Sequence, residues 1–161
     1  MAVKREGAAV MRERMLIGGE WVDAAGGETF ESRDPATGEV IAVVPRARAG
    51  DVDRAVAAAR RALEGGPWPQ TPPAERGRVL ARMSAAIRAQ ADELARLETL
   101  DTGKPLRQAR TDVEVAARYF EFYAGAADKL LGQVIPLGPG FLDYTLREPM
   151  GVCAQIIPWN Y

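Results

Sequence analysis

Residues 151–157, Gly-Val-Cys-Ala-Gln-Ile-Ile, form a nearly continuous apolar run that stops at Pro158. Such a run is the pattern of a strand covered on both faces in a parallel sheet, and proline has no N–H with which to continue a ladder. A strand of this kind calls for an α/β fold. Trp159 and Asn160 come just past the strand end. In open α/β sheets the carboxyl ends of the strands face the ligand crevice, so this indole and this amide are candidates for ligand contact.

The chain before this run divides by period. Gly18-Gly19 between short apolar pieces predicts a hairpin with strands near 15–17 and 20–22, because both turn positions tolerate positive φ. Short strands are expected at 29–33 and 39–44, around a β-turn at Pro35-Ala-Thr-Gly38. From Asp51 the spacing becomes helical: Val52, Ala55, Val56, Ala59, Ala62 and Leu63 share one face, and Gly65-Gly66-Pro67 ends it. A second helix is expected after Thr71 as cap and Pro72 as first residue, burying Val79, Leu80, Met83, Ala86 and Ile87. A third, near 92–100, closes at Gly103, and a fourth runs from Leu106 to about Gly125 with Val113, Ala116, Ala117, Phe120 and Ala124 on one side. Leu142, Tyr144 and Leu146 alternate with polar residues, which predicts a strand with one wet face.

With 47% apolar and 27% charged residues in 161, the composition is that of a globular domain, not a disordered chain. The net charge of −1 gives no electrostatic argument for nucleic acid or an anionic membrane as partner. No apolar stretch reaches transmembrane length, and residues 1–14 lack a secretory apolar core. These leading residues are expected to be a disordered extension, or the product of a misplaced start codon, since Met11 and Met15 precede the first patterned segment. Three lysines against 18 arginines suggest a GC-rich source genome. A single cysteine and no histidine exclude an intrachain disulfide, His-based zinc sites and His-containing triads, and suit a reducing cytoplasm.

The segment from Arg147 through Glu148-Pro149-Met150-Gly151-Val152 to Ile157-Pro158-Trp159-Asn160-Tyr161 closely resembles the first nucleotide-domain strand of the aldehyde dehydrogenase superfamily. Ile17-Gly-Gly-Glu-Trp-Val, Asp34-Pro-Ala-Thr-Gly-Glu, Asp51-Val-Asp-Arg-Ala-Val and Glu98-Thr-Leu-Asp-Thr-Gly-Lys-Pro105 resemble further family landmarks in family order, so the likeness covers about 15–161. It implies the N-terminal part of an α/β fold: a β-hairpin entry and helices at 15–130, oligomerisation-arm strands at 131–149, and the first strand of a Rossmann-like sheet at 150–161. The function it implies is NAD- or NADP-dependent oxidation of an aldehyde by a homo-oligomer, in which a cysteine thiolate attacks the aldehyde.

Under that resemblance Asn160 donates an N–H to the oxyanion formed by the attack, although a turn asparagine bonding its own backbone is the plainer reading of the residue alone. Ile156, Ile157, Pro158 and Trp159 match positions that line the dinucleotide cleft; without the resemblance they are strand and strand end. Asp101, with backbone carbonyls of Ser32 and Arg33, matches a monovalent-cation site built from hard oxygen donors, and is otherwise a helix-terminal turn residue. Cys153 lies inside the apolar run with no base nearby and is expected to be a small buried hydrophobe, because the family's reactive cysteine comes far downstream. The resemblance therefore places the nucleophile, the glutamate base and most of the cofactor site beyond Tyr161. The 161 residues alone are expected to be inactive and to bind dinucleotide poorly. The alternative is a non-catalytic assembly module.

Overall fold

A computed structural model describes residues 10–158. The chain opens with β1 (Met11–Arg12), followed by the expected hairpin of β2 (Met15–Ile17) and β3 (Glu20–Val22), with Leu16 opposite Trp21. Gly18 and Gly19 join them at φ 64° and 88°, a left-handed pair that residues with a Cβ adopt only with strain. Next come β4 (Thr29–Arg33) and β5 (Val40–Pro45), which pair antiparallel. The first strand adds to the free side of β5 in parallel, giving the order β1-β5-β4. Residues 10–14 thus correct the expectation of a disordered extension as far as they go: Met11 pairs with Ala42, Arg12 with Val43, and the Glu13 N–H donates to the Val43 carbonyl at 3.0 Å.

Two neighbouring residues of β5, Ile41 and Ala42, are both buried, so this central strand is covered on both faces. Leu100 completes the cluster, with Met11 and Val44 packed against it. Leu100 belongs to α3 (Ala91–Thr102), which stops at a left-handed Gly103, as its sequence predicts.

The other helices are α1 (Ala49–Glu64), α2 (Pro73–Ala89) and α4 (Leu106–Ala126), with a single 3-10 turn at Trp68–Gln70 ahead of α2. Their extents follow the helical periodicity, but two buried faces differ from expectation. The apolar face of α1 is largely open, with Val52 and Val56 exposed. On α2, Met83 and Ala86 are exposed, while Gly77 and Ser84 are the buried positions. The cause is close approach: a Cβ on Gly77 would stand 2.6 Å from the Ala124 carbonyl oxygen, and the Ser84 hydroxyl donates to the Ala117 carbonyl at 2.8 Å. Small residues set the spacing, so bulky ones are displaced to the flanks. Thr71 does not cap α2. It ends the 3-10 turn, its hydroxyl donating to the Pro67 carbonyl at 3.0 Å, and Pro72 stands at the cap with Pro73 first in the helix.

After α4, β6 (Val134–Ile135) pairs antiparallel with β7 (Asp143–Tyr144), and the Thr145 N–H extends the ladder to the Gln133 carbonyl at 2.9 Å. The strand expected at 142–148 is therefore shorter. The buried strand expected at 151–157 is absent: the segment carries no ladder, Ile156 and Ile157 are 92% and 72% exposed, and Cys153 is exposed instead of buried. The reason is the lack of neighbours, since no described segment lies alongside to accept the hydrogen bonds of 151–157 or cover its side chains.

Candidate functional site

Two groups of residues carry the functional expectation, and the fold treats them differently. Ser32 is the last but one residue of β4, beside the bulge between Ser32 and Arg33, and Asp101 lies one residue before the end of α3. Contact between α3 and β4 joins them, and the Ser32 hydroxyl donates to Asp101 Oδ1 at 2.5 Å, across 69 residues of sequence. The Arg33 guanidinium donates to the Gly38 carbonyl at 2.9 Å and pairs with Glu31. The Asp101 carboxylate thus meets Ser32 through the hydroxyl, whereas the expected cation ligands are the backbone carbonyls of Ser32 and Arg33. A single carboxylate with neutral oxygens suits a weakly held monovalent ion better than a divalent one. No cluster of three carboxylate, thiol or imidazole ligands occurs among the described residues.

The second group lies at the end of the described chain. Ile156, Ile157 and Pro158 are exposed in a segment without secondary structure, and no described residues close a cleft around them. Trp159 and Asn160 lie outside the described residues. A dinucleotide needs a concave, largely apolar site that buries most of its surface. The described residues around 156–158 do not form one.

Residue patterns pointed to neither of two buried charge clusters that hold the scaffold. Asp51 sits in the first turn of α1, almost fully buried. Its Oδ2 accepts from the Arg48 N–H at 2.9 Å, and its Oδ1 accepts from the Ala25 N–H at 3.1 Å and from Arg54 at 2.6 Å. These donors, led by the Arg48 backbone N–H, then Arg54 and the Ala25 N–H, hold its carboxyl below the ordinary value. Lys104, just after the α3 cap, lies between Asp112 at 2.6 Å and Glu98 at 3.3 Å with only 9% of its side chain exposed. The hydrogen bond to Asp112 is the main reason its ammonium is held above the ordinary lysine value. A third cluster is more open: Arg88 of α2 reaches Glu114 at 2.9 Å and Glu121 at 2.8 Å on α4 while donating to Ser84 at 3.0 Å. In sequence Asp51 marks only where helical spacing begins, and nothing there signals its grip on Ala25, 26 residues away.

Comparison with known proteins agrees with this architecture. The chain is 48% identical over 153 residues to an Arabidopsis thaliana protein named aldehyde dehydrogenase family 2 member B4, mitochondrial, covering 94% of this chain and 28% of that one. The solved structure of a Bacillus cereus aldehyde dehydrogenase mutant matches with a TM-score of 0.90 at 45% identity, over 92% of this chain and 30% of that one. A NAD+ complex of the Bacillus cereus enzyme matches with a TM-score of 0.84 at 43% identity, over 86% and 28%. The 161 residues thus span less than a third of the length of these relatives and have the N-terminal part of their α/β fold. With the aldehyde dehydrogenase family model matching residues 21–161, the chain belongs to the aldehyde dehydrogenase family.

Proposed function

We propose that these residues are the N-terminal portion of a cytoplasmic NAD- or NADP-dependent aldehyde dehydrogenase that oxidises an aldehyde to a carboxylic acid, and that the 161 residues alone are catalytically silent. The observation that carries this reading is the family match over 21–161 joined to a span of only 28–30% of the relatives. Asn160 would supply an oxyanion donor, and Ile156, Ile157, Pro158 and Trp159 would supply one wall of the cofactor cleft, once further strands cover them. Cys153 is not assigned as the nucleophile: it is exposed, and its Sγ lies 3.7 Å from the Gly151 carbonyl.

The test is aldehyde-dependent formation of reduced nicotinamide by the purified 161-residue chain and by the longer protein that contains it. Activity in the longer protein only is the expected result, and turnover by the short chain would overturn the claim of silence. In the longer protein Asn160→Ala is expected to lower kcat by about 10²–10³-fold. Asp101 and the backbone carbonyls of Ser32 and Arg33 are proposed as part of a monovalent-cation site. Potassium should raise the melting midpoint above that in choline at equal ionic strength, and Asp101→Asn should remove the difference.

A second reading, an assembly module, draws on the exposed leucines at 130, 131, 142 and 146 around β6 and β7. A monodisperse oligomer of the short chain with cooperative unfolding would favour it.

A further inference from the structure

We draw no further inference here: the strongest candidate, the recess of about 360 Å³ on the outer face of α4 lined by Val115, Arg118, Tyr119, Phe122 and Tyr123, is an unpartnered apolar face and nothing in the structure shows what covers it.

Discussion

Gly77 and Asp51 show how single residues hold this scaffold together, one by having no side chain and one by having its carboxylate saturated. In an exposed helix, replacing glycine by alanine stabilises by about 1 kcal/mol. At Gly77 the added carbon would meet a backbone oxygen at 2.6 Å, which cannot rotate away as a side chain could. Overpacking costs about 1–3 kcal/mol, so the steric term is expected to win. Gly77→Ala should lower the denaturation midpoint, and an unchanged or higher midpoint would mean that α2 and α4 can slide apart freely. For Asp51 the folded carboxyl lies below its ordinary value of 3.8, so protonation favours the unfolded chain. The stabilisation is complete above that ordinary value and is lost as pH falls through the lower folded one. Asp51→Asn should destabilise the chain at neutral pH and flatten the acid limb of its stability curve; parallel acid limbs for the two proteins would refute this role. Cys153 offers a third check: being exposed, it should react with a thiol reagent about as fast in the folded chain as in denaturant.

At the scale of elements, the sequence was most informative where local chemistry settles the outcome. The Gly18-Gly19 hairpin, the stop at Gly103 and the extents of four helices follow from turn conformations and helical spacing, which act within a few residues. It was least informative where a partner decides. An apolar run records that a segment tends to be buried but not what lies beside it, so 151–157 reads as a two-sided strand while the described chain gives it no neighbour. Two-sided burial instead falls on β5, whose Ile41-Ala42 pair is short enough to pass for half of an alternating pattern. The candidate site divides along the same line. The meeting of Ser32 with Asp101 was reachable through family resemblance alone, because a strand serine and a helix-end aspartate carry no signal of each other across 69 residues. The α2–α4 contact can be tested as a unit. Ser84→Ala removes a buried hydrogen bond and should cost about 0.5–1.5 kcal/mol, read as a shift in denaturant midpoint. The same change should also loosen Arg88, speeding amide exchange in the facing turn of α4.

Over the whole molecule, the imbalance between a small core and a large uncovered apolar surface governs behaviour. Three residues, Ile41, Ala42 and Leu100, make the buried cluster, whereas Phe122, Leu130, Leu131, Phe141, Leu142 and Leu146 are each about two-thirds exposed or more. Exposed apolar side chains in this number favour association. The isolated 161 residues should bind a hydrophobic fluorescent dye at neutral pH and sediment with a concentration-dependent mass. A dye-silent monomer would show that the surface is covered in solution. The parallel seating of β1 against β5 also bears on how the message is translated. A ribosome starting at Met11 would still make the residues that pair with Ala42 and Val43, whereas one starting at Met15 would omit them. The later product would leave one edge of β5 without a partner, so four codons decide whether that buried strand sits in the middle of its sheet or at its edge.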